Sequence, residues 1–258
     1  MNEKIFVSGV KSGLGKYLYE KLDGFGLTRD TSEKELELVK KRGKLDVIIH
    51  CAFNSKRGIT SENLYDYISD NVFLTKKLVS LPHKKFIFIS SIEVYPKNNI
   101  LHKEDEIIDV DKISNLYGLT KLISEAIIKK HCNNYLILRA TALLGGYSRK
   151  NSLLRILQDK ECVLTLAPES SFNYVLHSDV LEFIKYALEK DIIGIYNLAA
   201  SKNIQLKEVA EIYNKEVKFG SYYYKTGDID NSKISSIFPI FKKTSEDNIK
   251  RFIEEENI

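Results

Sequence analysis

Tyr117 and Lys121 stand four residues apart, the spacing that stacks two side chains on one face of a helix. An ammonium beside a phenol lowers the phenol's pKa from its ordinary value of about 10. A tyrosine so placed passes a proton to or from a substrate oxygen. Ser91 closes an apolar run, and its hydroxyl is placed to hold the same oxygen. The same Tyr-Lys spacing recurs at Tyr17/Lys21 and Tyr186/Lys190, and both of these read as solvated helix faces. Tyr117 is singled out because it alone follows a strand ending in Ser.

A second pattern lies in KIFVSGVKSGLGKYLYEKL, residues 4–22. An apolar run leads through Gly9, Gly13 and Gly15 into a helical segment. The glycines allow a tight turn and a close backbone approach to a pyrophosphate. The free N–H groups and positive end of the next helix face that anion. The two patterns together read as hydride exchange with a nicotinamide dinucleotide, with Tyr117 as the proton partner.

The elements that must position these residues follow an α/β alternation. Strands are expected at Ile5–Val7, Phe25–Thr28, Asp46–Ala52, Lys85–Ser90 and Tyr135–Arg139. Helices are expected at Leu14–Leu22, from a Thr31 or Ser32 cap to Lys41, at Glu62–Leu81 before Pro82, and at Tyr117–His131. Near-continuous apolar strands alternating with helices predict a doubly wound parallel sheet of Rossmann-like type. Residues 1–145 then form a dinucleotide-binding domain with the Ser/Tyr/Lys set. Residues 146–258 read as a mixed segment that adds sheet strands and builds a small substrate-binding lobe. Its expected strands are Phe172–Leu176 and Ile193–Leu198, and its helices Ser152–Asp159, Asp179–Glu189, Leu206–Tyr213 and Asp247–Glu256.

Composition narrows the partners. The chain has 258 residues, 43% apolar and 29% charged, which suits a folded globular protein. Its 39 basic and 35 acidic residues nearly balance, so nothing invokes nucleic acid. Cys51, Cys132 and Cys162 are scattered without metal-type spacing, and no metal is expected. They read as reduced thiols in a cytoplasmic protein. The first strand starts too early for a signal peptide before it, and no apolar run has the length of a membrane span.

In order along the chain, these segments resemble the extended short-chain dehydrogenase/reductase superfamily, the NAD-dependent epimerase/dehydratase group. FVSGVKSGLG resembles its cofactor turn and DVIIHCA its D-V-V-I-H-L-A-A strand. Tyr67-Ile-Ser-Asp-Asn71-Val resembles Y-x-x-N-V, and FIFISSIEVYP resembles F-I-x-x-S-S-x-x-V-Y-G. YGLTK resembles the catalytic helix, FNYVLHSDV the F-x-x-V-D-D-V segment and GIYNL the G-x-Y-N-x-G strand. The resemblance implies Tyr117 as general acid/base, Lys121 on the nicotinamide ribose and Ser91 on the reacting oxygen. It implies Gly9, Ser12, Gly13, Leu14 and Gly15 around the pyrophosphate, with Cys51 and Ala52 beside the adenosine half. It gives Asn71 a supporting role behind Lys121, against a reading as local backbone bonding. It also implies a homodimer through the helices at Glu62–Leu81 and Tyr117–His131.

Departures from the pattern refine the function. The turn is GxxxGxG, the spacing of the single-domain branch. Ala142 replaces the Asn that usually contacts a nucleotide sugar. Ile92-Glu93 stands where dehydratases carry Asp-Glu, which argues against 4,6-dehydration, and Glu93 reads as a structural side chain rather than a base. Arg29, in Gly26-Leu-Thr-Arg29-Asp30, favours NADP(H) over NAD(H) through a charge-assisted fork on the 2′-phosphate. Arg149, Lys150 and Arg155 read either as diphosphate ligands or as solvated charges. The expected function is a reductase of a nucleotide-activated keto-sugar. The alternatives are a nucleotide-sugar epimerase, a reductase of a small non-sugar carbonyl, and a non-catalytic NADP-binding regulator.

Overall fold

Long apolar strands need partners on both edges and cover on both faces, and a parallel sheet supplies both. A computed structural model of the chain describes residues 4–28, 33–41, 43–54, 56 and 58–258. The chain begins with β1 (Ile5–Ser8), α1 (Gly13–Leu22), β2 (Phe25–Leu27), α2 (Glu33–Lys41) and β3 (Leu45–His50). Then come α3 (Ser61–Ile68), a π turn (Ser69–Phe73), α4 (Leu74–Val79), β4 (His83–Ser91), α5 (Leu116–His131) and β5 (Tyr135–Ala140). It continues through β6 (Ala142–Leu144), α6 (Ser152–Gln158), β7 (Cys162–Val163), β8 (Ser171–Phe172), β9 (Tyr174–Leu176) and α7 (His177–Glu189). The last elements are β10 (Gly194–Leu198), β11 (Ile204–Gln205), α8 (Leu206–Ile212), β12 (Val217–Lys218), α9 (Ser232–Ile237) and α10 (Ser245–Glu256).

The main sheet has six strands in the order β10-β5-β4-β3-β1-β2. β1 pairs in parallel with β2 on one side and β3 on the other, and β3 pairs in parallel with β4. The strand order therefore reverses between β1 and β3, and a crevice opens at their carboxyl ends. Phe6, Ile48, Phe86, Phe88 and Ile137 are buried with Leu78 of α4 and Ile128 of α5 in one apolar cluster. Lys85 precedes the apolar run of β4 yet stays buried, because its stem lies in the sheet and its Nζ reaches Asp191 at 2.8 Å. The doubly wound α/β fold expected from the alternation is the fold observed. The helix expected over Glu62–Leu81 is instead α3 and α4 joined by the π turn that carries Asn71. Apolar periodicity runs through such a turn without a break, so the pattern does not reveal it.

The chain forms two compact units: Met1–Lys97, Glu104–Arg139 and Tyr186–Tyr196 in the first, Asn98–Lys103, Ala140–Lys185 and Asn197–Ile258 in the second. The second unit has its own core, with Leu144, Leu153, Leu176, Leu206, Ile249 and Phe252 at its centre. Its strands are short, pairing as β6-β9, β7-β12 and β8-β11. The strand expected over Phe172–Leu176 is split at Asn173. There Asn173 Oδ1 accepts from Ala200 N at 2.8 Å, and Nδ2 donates to Ala200 O and to Asn203 Oδ1, both at 2.9 Å. The run changes partner at this residue, with β8 pairing with β11 and β9 with β6.

In the first unit a buried ion pair ties three elements together. Arg139 of β5 donates from Nη2 to Glu125 Oε2 at 2.8 Å and from Nε to Oε1 at 3.1 Å. Ser90 of β4 donates to the same carboxylate, and Arg139 Nη1 donates to the Tyr95 hydroxyl at 2.8 Å. Glu125 has no exposed surface. Removing one partner of such a pair leaves an uncompensated buried charge. Glu125→Ala is expected to lower the unfolding free energy by about 3–5 kcal/mol, measured by urea denaturation. Glu125→Gln keeps the shape and part of the bonding, and is expected to lose less.

Candidate active site

The turn after β1 is built by backbone contact. Gly9 has φ +83°, and a Cβ there would sit 2.7 Å from Ala52 N. A Cβ on Gly15 would overlap the Gly9 carbonyl oxygen. The loops after β1 and β3 and the start of α1 therefore meet main chain to main chain, which only glycine permits. Ser12 occupies the N-cap of α1 with an extended backbone, its hydroxyl does not cap the helix, and no acidic residue lies in the first turn. The α1 N–H groups at Gly13, Leu14 and Gly15 form a positive terminus suited to an anion. Leu14 turns its side chain into the protein, so it offers only its main chain. A Cβ on Gly13 would meet nothing within 4 Å, so this terminus faces open space. The glycine turn brings Cys51 against Gly15. Burial pushes the Cys51 thiol up to about 12, which leaves it protonated.

Behind the cradle runs a chain of buried polar groups. Ala52 N donates to Ser8 Oγ at 3.1 Å, and Ser8 Oγ lies 2.7 Å from His50 Nδ1. His50 Nε2 lies 3.0 Å from Thr75 Oγ1, and Thr75 donates to Asn71 O at 2.7 Å. Thr75 has one proton, so His50 donates to it from Nε2 and accepts from Ser8 at Nδ1. Burial, with the nearby Lys121 charge, holds the imidazole down to about 3, neutral as this chain requires. Asn71 itself is fully buried. Its Oδ1 accepts from Asn54 N at 2.7 Å and its Nδ2 donates to Asn54 O at 3.1 Å. The Asn71 amide is thus spent on the loop after β3, and any part it plays in cofactor binding runs through that loop.

Helix α5 is set by its first turn. Asn115 caps it, accepting from Gly118 N at 2.8 Å while donating to Glu93 Oε2 at 2.9 Å. A Cβ on Gly118 would overlap the Glu93 carbonyl oxygen. The glycine in YGLTK therefore lets α5 press onto the turn after β4. Glu93 also pairs with Lys97 at 2.6 Å, a structural use of its carboxylate.

Ser91, Tyr117 and Lys121 come together here. The Ser91 side chain interacts with the Tyr117 phenol and opposes the rise in its pKa, and its Oγ accepts from Glu93 N at 3.2 Å. Lys121 is buried, with Nζ donating to Ile89 O at 2.5 Å. The ammonium lies 3.8 Å from the Phe53 ring centroid, 4.6 Å from that of Phe88 and 5.9 Å from that of Tyr117. Burial pulls Lys121 down to about 7 against the pull of Cys51 and Glu125. The expected lowering of the Tyr117 pKa is not found. Burial pushes the phenol up to about 12, Ser91 opposes, and Glu93 and Tyr67 add to the rise. The lysine turns its charge to a carbonyl and an aromatic face rather than to the phenol oxygen. Phe53, absent from the sequence reading, meets the Tyr117 ring edge-on at 5.2 Å. Its one signal was its position directly after the Cys51-Ala52 pair.

Other candidates fall elsewhere. Arg29, with Asp30 and the Thr31 or Ser32 cap, lies outside the described residues. Lys150 and Arg155 both pair with Asp159, at 2.7 and 3.3 Å, in the second unit. Lys21 is exposed and Lys190 pairs with Glu189 at the surface, as solvated faces would. Among the described residues no cluster of His, Cys, Asp or Glu could hold a metal ion, and no helix is long and apolar enough to cross a membrane.

Comparison with known proteins adds to this geometry. The model of the NAD dependent epimerase/dehydratase family matches residues 5–199. The dTDP-D-glucose 4,6-dehydratases of Homo sapiens and Bos taurus are each 23% identical over 190 residues and 68% of this chain. The match covers 54% and 53% of those proteins, so the chain spans about half the length of the curated relatives it matches. A dTDP-4-dehydrorhamnose reductase from Bacillus anthracis, solved in complex with NADP, superposes with a TM-score of 0.82 at 18% identity, covering 99% of this chain and 100% of that one. A UDP-glucuronic acid 4-epimerase from Bacillus cereus, solved with UDP-glucuronic acid and NAD, gives 0.76 at 19% identity over 98% and 99%. At such identities the likeness is one of fold.

The neutral His50 makes a pH prediction. Its folded value near 3 lies below the ordinary 6.5, so the unfolded chain binds the extra proton between them. Its contribution to stability is complete above pH 6.5 and drains as pH falls toward 3, at up to about 1.4 kcal/mol per pH unit. His177, which burial holds down to about 4, adds to the same slope. Urea unfolding of His50→Gln across this range is expected to show a slope shallower by about one proton. A slope equal to the unsubstituted protein's would contradict the assignment.

Proposed function

The chain belongs to the NAD dependent epimerase/dehydratase family, and from that premise we propose that it is a reductase of a nucleotide-activated keto-sugar. The observation that carries this reading is the meeting of Ser91, Tyr117 and the buried Lys121 at the carboxyl end of β4. The family consists of enzymes of the extended short-chain dehydrogenase/reductase type. The glycine cradle with its unblocked helix terminus fits the pyrophosphate of a nicotinamide dinucleotide, held by Gly9, Gly13, Leu14 and Gly15. Ser12, Cys51, Ala52 and Lys121 complete that site in this reading. When bound, the nicotinamide supplies hydride to the carbonyl carbon. Tyr117 gives its proton to the carbonyl oxygen, and Ser91 holds that oxygen by hydrogen bonding. With its value pushed up to about 12, the phenol holds a proton at neutral pH.

Two features favour reduction over dehydration. The first is Ile92, in the place where dehydratases carry an acid. The second is Glu93, whose carboxylate is committed to Lys97 and Asn115. NADP(H) in preference to NAD(H) rests on Arg29. A homodimer through α3, α4 and α5 is part of the reading, consistent with the exposed Leu64, Phe73 and Ile123 on these segments. One observation favours a second reading, a reductase of a small non-sugar carbonyl. Asp159 already neutralises Lys150 and Arg155, two of the three cations that were candidates for a diphosphate.

A thermal-shift panel with NADH, NADPH, nucleoside diphosphates and nucleotide sugars separates these readings, because a ligand that binds the folded state raises its midpoint. Stabilisation by NADPH and by a nucleoside diphosphate is expected. Stabilisation by cofactor alone supports the small-carbonyl reading. Tyr117→Phe is expected to lower keto-sugar reduction by about 10²–10⁴-fold and to leave the cofactor's thermal shift in place. Unchanged turnover would remove Tyr117 from the mechanism.

A further inference from the structure

We infer that Phe53 is a positioning residue of this site, seating the Lys121 ammonium on its face and the Tyr117 ring against its edge. This inference rests on the roles proposed above for Tyr117 and Lys121. Three observations carry it. The first is contact. The Phe53 ring lies 3.8 Å from the Lys121 Nζ and 5.2 Å, edge-on, from the Tyr117 ring.

The second is fixation. Phe53 follows Ala52, whose N–H is held by Ser8, and precedes Asn54, whose N–H and C=O are both held by the Asn71 amide. Asn54 Nδ2 also donates to Asp70 at 2.9 Å. The main chain is pinned on each side of the ring, which packs against the core beneath it. Asn71 therefore acts on the site through Phe53.

The third is need. Among the described residues, the one hydrogen-bond acceptor of the Lys121 ammonium is Ile89 O. A desolvated cation with a single acceptor draws its remaining stabilisation from what else faces it. Aromatic faces attract a cation, more strongly where water is excluded. Phe53 is nearer than Phe88, and Phe88 belongs to the sheet core.

The charged and titratable groups around Lys121 are known. His50 faces it from β3, Cys51 from the loop after β3, and Tyr117 and Glu125 from its own helix. His50 is neutral and Cys51 and Tyr117 are protonated at neutral pH, while Glu125 is committed to Arg139. A change confined to the Phe53 ring therefore reads out on Lys121.

The test is an NMR titration of the Lys121 ζ-nitrogen in the full chain. Phe53 is replaced by its 4-fluoro, 3,5-difluoro and pentafluoro analogues, which nearly keep its shape while draining charge from its face. Phe53→Leu and Phe53→Tyr accompany them. The Lys121 midpoint is expected to fall stepwise with fluorination, by about one pH unit at the pentafluoro ring. Phe53→Leu is expected to fall similarly and Phe53→Tyr to stay at the unsubstituted value. The alkaline limit of reductase turnover is expected to move with the midpoint. A midpoint unmoved across the fluorinated series overturns the inference. So does a midpoint that moves while the turnover limit stays, since Phe53 would then set a charge without bearing on the reaction. The titration needs no turnover, so failure of every keto-sugar substrate would count against the reductase reading and not against the contact.

Discussion

Burial of the Lys121 ammonium is the constraint around which the first unit is organised. A charge taken out of water costs far more than one carbonyl returns, unless its surroundings compensate. Here they do so in three ways. A main-chain carbonyl of β4 accepts from it, two aromatic faces lie against it, and the titratable groups around it carry no competing positive charge. His50 is neutral because it must accept at Nδ1 and because a second buried cation beside Lys121 would be repelled.

The same economy explains why Glu125, four residues further along α5, does not neutralise Lys121. Its carboxylate is engaged by Arg139 and Ser90, which join α5, β4 and β5. A carboxylate closer to Lys121 would hold the ammonium fully charged and direct it away from a ligand. With Glu125 occupied elsewhere, Lys121 stays near neutrality in its proton affinity and next to the helix face that carries Tyr117. The polar chain from Ala52 through His50 to the π turn couples the anion cradle to this arrangement. The wall of the crevice and the helix with the acid/base pair are thereby held in one rigid set of hydrogen bonds.

That rigidity suits the proposed chemistry. Proton transfer at Tyr117 depends on the phenol keeping its proton until an oxygen with developing negative charge arrives. Burial supplies the retention and Ser91 supplies the alignment. The lysine contributes a nearby positive charge whose strength is set by the rings around it. An arrangement in which Lys121 bonded Tyr117 directly would favour the phenolate and the opposite direction of transfer.

Much of this was legible along the chain. Apolar runs and turn residues marked the parallel strands. The glycine spacing marked the close-packed turn after β1, and the Ser-ending strand and Tyr-Lys pair marked side chains that the fold brings together. These features are local: each depends on residues within one turn or one strand, so sequence order carries them. What the order could not carry was every contact between distant segments. The π turn is hidden inside a continuous apolar period, and the two-residue strands of the second unit are too short for a pattern. The run around Asn173 is two strands because β8 and β9 pair with different distant strands, β11 and β6. The direction of the Tyr117 pKa was misjudged because spacing places the ammonium on the same helix face but does not say what else the ammonium meets. Phe53 and Ile89 decided that, brought to Lys121 from β3 and β4 by the sheet. Sequence alone determined which groups are offered for the proposed proton transfer and anion binding. Tertiary structure decided their charge states, because desolvation is a property of the whole enclosure and not of any one segment.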